Sequence, residues 1–148
     1  GVRPGTENVA YIAGLGEACA IAERTMADES ARQAELRDRL WSALRAGIPG
    51  VVRNGDPRRC LPNTLNLSLP AVRGSTVLEA APLLAATTGS ACHEGGERPS
   101  PVLSAMGVDT DRALGAIRLS LGRSTTVGQV DRAASAVVRA YHLCAGNP

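Results

Sequence analysis

The run Leu65-Asn66-Leu67-Ser68-Leu69-Pro70 alternates large apolar with small polar side chains. That is the period-two signal of a strand with one face in a core and the other in water. Pro70 lacks a backbone N–H, so the strand is expected to end there. Ile117-Arg118-Leu119-Ser120-Leu121 repeats the pattern, with Arg118 pointing opposite to Ile117 and Leu119. Two half-buried strands in one short chain call for helices to cover them.

Those helices are legible on either side. Thr6 is placed to cap a helix with Glu7 in its first turn, and Val9, Ile12, Leu15, Cys19, Ala22 and Met26 follow at helical spacing, predicting an amphipathic helix. After the polar stretch Ala27-Asp28-Glu29-Ser30, a second stripe at Leu36, Leu40 and Leu44 ends at Gly47 and Pro49. The two stripes read as two helices or as one long bent one. Asn54-Gly55-Asp56-Pro57 is turn chemistry. Ser75 to Leu84 reads as a short helix, Ala85 to Thr88 as a short strand, and Gly89 to Arg98 as an exposed loop. Ser100-Pro101 starts a helix that Gly107 ends, and Asp109 to Gly115 forms another turn or two. Thr126 stands three residues before Gln129, a capping-box spacing, ahead of an amphipathic segment through Val130, Ala133, Val137, Tyr141 and Cys144. Together these predict one α+β domain over residues 1–148, a small sheet covered by helices.

Composition narrows the function. The 148 residues are 44% hydrophobic and carry 16 basic against 14 acidic side chains, a net charge of +2. No basic cluster exceeds Arg58-Arg59, so neither nucleic acid nor an anionic membrane surface is expected as a partner. No apolar run approaches the length of a membrane span. Every basic residue is an arginine, so these residues cannot by themselves form a lysine Schiff base. Cys19, Cys60, Cys92 and Cys144 lie far apart without CxxC spacing, which favours free thiols in a reducing, cytoplasmic setting and offers no metal site. Cys19 and Cys144 fall on apolar helix stripes and read as core packing. Cys60, beside Arg58 and Arg59, is open to mild activation.

The loop Gly89-Ser90-Ala91-Cys92-His93-Glu94-Gly95-Gly96-Glu97-Arg98 presents a thiol among small and charged residues, where it reads either as a reactive group or as a bystander. Alone, Arg118 reads as a solvated arginine on the wet face of a strand, Thr6 as a plain helix cap, and His93 as solvated. The longer strings change this. Thr88-Gly89-Ser90-Ala91-Cys92, then Pro99-Ser100-Pro101-Val102-Leu103-Ser104-Ala105-Met106-Gly107, then Ile117-Arg118-Leu119-Ser120-Leu121-Gly122-Arg123-Ser124-Thr125-Thr126 resemble the C-terminal domain of NifS-like cysteine desulfurases. Arg3-Pro4-Gly5-Thr6-Glu7-Asn8, Gly14-Leu15-Gly16-Glu17-Ala18 and Leu61-Pro62-Asn63-Thr64-Leu65-Asn66 extend the likeness, in the family's order, over nearly the whole chain. Arg3-Pro4, His93 after Cys92, and Pro99-Ser100-Pro101 also resemble the selenocysteine lyase branch.

The resemblance implies the small domain of a fold-type I enzyme dependent on pyridoxal phosphate (PLP). It implies that Cys92 attacks the sulfur or selenium of L-cysteine or L-selenocysteine and that a persulfide then passes to an acceptor protein. Arg118 would pair with the substrate α-carboxylate, and Thr6 would reach the PLP phosphate of the partner subunit. In that family the cofactor lysine and the ring-holding residues sit in a large N-terminal domain, which these residues do not include. The isolated chain is therefore expected to be inactive without that domain, and its expected partner is that domain or its own dimer mate. It is expected to be a truncated or proteolysed piece first, a separately encoded half second, and a remnant module third. A surface bared by an absent neighbour predicts self-association. The alternative is a non-enzymatic sulfur-relay or interaction module whose loop accepts persulfide.

Overall fold

The structure is a computed structural model and describes residues 5–89 and 98–146. Its first element, α1 (Val9–Gly47), is one continuous helix of 39 residues. The segment Ala27 to Ser30 does not break it, because it holds neither Gly nor Pro and Glu29 pairs with Arg32 one turn on at 2.9 Å. The cap is Asn8 rather than Thr6: Asn8 Oδ1 accepts from the Tyr11 N–H at 3.1 Å, which leaves Thr6 two residues ahead of the cap. At the other end Ile48 turns extended, its N–H bonded to the Leu44 carbonyl, and Pro49 follows.

Among the described residues, three strands form an antiparallel sheet in the order β1-β2-β3: β1 (Val52–Arg53), β2 (Thr64–Ser68) and β3 (Ala116–Ser120). Between β2 and β3 lie α2 (Gly74–Glu79), α3 (Pro101–Ala105) and α4 (Thr110–Leu114), and α5 (Val127–Cys144) follows β3. The helix expected to run to Leu84 stops at Glu79, since Pro82 cannot donate to a further turn. The strand expected at Ala85 to Thr88 reduces to a single bridge, Thr87 to Arg118, because Gly89 at φ +125° turns the chain away. Ser100 and Pro101 start α3 and Asp109 caps α4. Thr126 and Gln129 form the expected capping box of α5.

One face of the sheet carries the main core. Leu65, Leu67 and Leu69 from β2 and its exit, with Ile117, Leu119 and Leu121 from β3 and its exit, meet Leu36, Leu40, Leu44 and Ile48 of α1. Val130, Ala134, Val137, Ala140 and Tyr141 of α5 complete the cluster. Gly115 sits so close beneath the β2 exit that a Cβ would strike the carbonyl oxygens of Leu69 and Val72, so the β3 entry tolerates only glycine. On the opposite face a small satellite cluster of Leu103, Ala113 and Ala116 fastens α3 and α4 over one end of the sheet.

Among the described residues, little covers the N-terminal half of α1. Val9, Ile12, Leu15 and Met26 are 57–71% exposed, and Cys19 is exposed as well, against the expectation that it packs in a core. Cys144 is half-buried against the main cluster. No helix among the described residues is long and apolar enough to cross a membrane.

Candidate functional site

Strand alternation sends Arg118 to the face opposite the main core, and antiparallel register sets Asn66 of β2 directly across from it. The backbone of Arg118 also pairs with Thr87 on the outer edge of β3, the Arg118 N–H donating to the Thr87 carbonyl at 2.6 Å. Thr87 Oγ1 in turn accepts the Gly89 N–H at 3.2 Å. From the far side, α3 brings Ser100, Pro101, Val102, Leu103 and Met106 over the sheet. The result is a cleft of about 340 Å³ lined by Arg118, Asn66, Asn54, Gly89 and these α3 residues. The Arg118 guanidinium is exposed and makes no hydrogen bond or ion pair with a described residue.

Beneath the cleft, Asn54 is 8% exposed and holds three partners. Its Oδ1 accepts from Arg112 Nη2 at 2.6 Å, and its Nδ2 donates to Asn66 Oδ1 at 2.7 Å and to Ser68 Oγ at 2.9 Å. Arg112 Nε is buried without a partner among the described residues. Sequence reasoning missed these residues. Asn54 stood only as turn chemistry, and Asn66 only as the polar half of an alternation. Their role depends on strand register, which a single strand's pattern does not disclose.

Of the residues the sequence singled out, Arg118 lies in the cleft, and Thr6 is exposed ahead of α1 and is not among the cleft residues. Cys92 and His93 fall outside the described residues. In sequence they stand between Gly89 and Ser100, both of which line the cleft. Cys60 does meet arginines, but not its sequence neighbours: Arg37 Nη1 and Arg53 Nη2 approach its sulfur at 3.4 and 3.2 Å. Arg37 also grips Asp38 with two bonds, and that grip holds the Asp38 carboxyl below the usual aspartate range. A groove of about 810 Å³ between α5 and residues 83–85 shares no residue with the Arg118 cleft.

A guanidinium and carboxamides around one cleft, with no carboxylate among its described lining residues, suit an organic anion the size of an amino-acid carboxylate. Comparison with known proteins gives this a family. A cysteine desulfurase from Frankia sp. is 44% identical over 142 residues, 95% of this chain and 34% of that protein. The human cysteine desulfurase is 40% identical over 131 residues, 88% of this chain and 29% of its own length. Among solved structures, a NifS-like protein superposes with a TM-score of 0.79 at 32% identity, covering 94% of this chain and 35% of that one. A NifS-like protein from Rickettsia africae gives 0.76 at 28% identity over 98% of this chain and 37% of that one. The chain thus spans about a third of the length of the relatives it matches. The sequence model of class-V aminotransferases matches residues 1–133, and with these likenesses in fold and sequence the chain belongs to the class-V aminotransferase family.

Proposed function

We propose that these residues are the C-terminal part of a PLP-dependent cysteine desulfurase or selenocysteine lyase. In this reading Arg118 holds the substrate carboxylate, Cys92 takes the sulfur, and Thr6 reaches the cofactor phosphate of a partner subunit. The observation that carries it is the donor-lined cleft around Arg118, with Gly89 on its wall three residues before Cys92 in sequence. The names of the curated relatives favour L-cysteine over L-selenocysteine as substrate. Those of the IscS type suggest persulfide delivery to an acceptor protein.

The residues present fit the amino-acid end of the reaction and not the cofactor's covalent anchorage. Arg118 and Asn66 suit a carboxylate, whereas the 148 residues contain no lysine and so offer no side-chain amine to the cofactor aldehyde. PLP, when bound, acts as an electron sink that weakens bonds to the substrate's α- and β-carbons. Arg118 contributes orientation. Two parallel N–H···O bonds to the carboxylate fix the amino acid about its Cα and present its sulfur toward the Gly89 wall. The Cys92 thiolate then attacks that sulfur. A sulfur–sulfur bond forms as the carbon–sulfur bond breaks, the electron pair stays with carbon, and a proton taken up there gives alanine.

The test uses the PLP-loaded enzyme that joins these residues to a large domain, with sulfide release from L-cysteine measured in the presence of a thiol reductant. Cys92→Ser should abolish sulfide without loss of bound cofactor. Arg118→Lys, which keeps the charge and loses the fork, should raise KM roughly tenfold or more, as expected for loss of one charge-assisted hydrogen bond. Full activity in Cys92→Ser would sink the reading. If the 148-residue chain gains one sulfur atom from a persulfidated protein donor without PLP, the sulfur-relay alternative gains instead.

A further inference from the structure

We propose that Arg112 is a positioning residue which, acting through Asn54, fixes the Asn66 side-chain amide so that its NH₂ group faces the carboxylate cleft as a second donor beside Arg118. The inference rests on the reading of Arg118 as the carboxylate arm.

The argument is one of hydrogen-bond polarity. An asparagine amide presents one acceptor end and one donor end, and a serine hydroxyl serves as either, so a chain of Asn54, Asn66 and Ser68 alone has no preferred direction. A guanidinium is different: it donates and never accepts. Arg112 Nη2 at 2.6 Å therefore obliges Asn54 to turn Oδ1 toward it. Nδ2 of Asn54 must then face Asn66 and Ser68, at 2.7 and 2.9 Å. Asn66 can meet that donor only with Oδ1. Its Nδ2 is left without a partner among the described residues, on a side chain that lines the cleft opposite Arg118.

Burial makes the relay stiff. Asn54 is 8% exposed, so a reversed amide would set donor against donor where water has little room to relieve the clash. Arg112 is itself held at a cost, since its Nε is buried without a partner among the described residues. The wrong orientation of Asn66 would offer a carbonyl oxygen to an incoming carboxylate, and the right one offers a hydrogen bond. Arg118 supplies charge and fork; Asn66, oriented from below, supplies the discrimination between a carboxylate and a group that donates.

The experiment is a double-mutant cycle in the PLP-loaded enzyme joined to its large domain. It reads KM and kcat for L-cysteine, the calorimetric Kd of 3-mercaptopropionate as a carboxylate probe that lacks the reacting amine, and the melting temperature. Asn66→Ala and Arg112→Met should each raise KM and Kd roughly tenfold, the loss of one hydrogen bond to a charged group, with kcat little changed. The double variant should be no worse than either single one, because both remove the same bond. Arg112→Lys, which also only donates, should restore most of the affinity. A roughly hundredfold, additive loss in the double variant would mean that Arg112 acts through its charge and not through Asn66. An unchanged KM and Kd in Asn66→Ala would overturn the proposal outright. Should Arg112→Met fail to fold, Arg112→Gln, which releases the donor-only constraint, takes its place in the cycle. Arg118→Lys separates the two readings: if it leaves KM and Kd unchanged, the carboxylate cleft itself is wrong, and if it alone raises them, only the relay is.

Discussion

Replacing Leu44 by alanine, beside the same change at Leu15, tests whether α1 is half core and half bare surface. Leu44 is fully buried, 0% exposed, in the cluster that joins α1, the sheet and α5. Leu15, on the same helix, is 66% exposed. A buried Leu→Ala change costs about 2–5 kcal/mol through lost transfer energy plus the cavity left behind. Leu44 belongs in the upper part of that range, about 3–5 kcal/mol, because a sheet on one side and a packed helix on the other resist collapse. At about 2–4 °C per kcal/mol for a domain of this size, melting should fall by about 6–20 °C. At a dilution where the chain is monomeric, Leu15→Ala should stay within about 0.5 kcal/mol of the parent, since within one chain it removes no packed contact. Urea unfolding followed by the fluorescence of Trp41, the one tryptophan, reads both, because Trp41 packs against the same cluster. A loss under about 1 kcal/mol at Leu44, or an equal loss at both positions, would refute the division of α1 and with it the placement of the core.

Gly115→Ala should destabilise by about 2 kcal/mol or more, since the new methyl meets backbone carbonyls that cannot rotate away; a thermal melt checks it, and an unchanged midpoint would contradict the close approach of β3 to the β2 exit. The isolated chain should self-associate through Val9, Ile12, Leu15 and Met26, and sedimentation equilibrium should show that Ile12→Glu with Leu15→Glu returns it to monomer. Stability should fall on acidification: hydrogen bonds from Arg37 to Asp38 and from Arg39 to Asp131 hold both carboxyls below their usual values. The unfolded chain then takes up protons first, so this contribution is whole above about pH 4 and drains away as pH falls through the folded values. Urea midpoints between pH 7 and pH 2 should show the decline, and Asp38→Asn should flatten it.

How much of this was legible in sequence depends on the range of the physics involved. The strands at β2 and β3, the capping box of α5 and the start of α3 rest on a few neighbouring residues, and the alternation or cap chemistry is strong enough to survive any tertiary context. The cap of α1 was misplaced because Thr6 and Asn8 are both good caps, and only the chain's path decides which side chain reaches a free N–H. Val9 to Met26 has helical periodicity, and the helix is there, but periodicity says that a face is apolar and not what covers it. Cys19 was read as core for that reason. Arg118 was found through the motif around it. Asn54 and Arg112 were not, because they stand 58 residues apart and meet only once the sheet has formed.

The two faces of this sheet answer to different demands, and strand alternation connects them. Leu65, Leu67, Ile117 and Leu119 exclude water on one side, and that same pleat obliges Asn66 and Arg118 to emerge on the other. Neither residue needs a local device to point it, since register and burial of its neighbours have already done so. What the pleat does not set is the direction of an amide, because asparagine's two ends occupy nearly the same space. That choice falls to a residue with only one polarity to offer, and on this face, below the cleft, Arg112 is placed to make it.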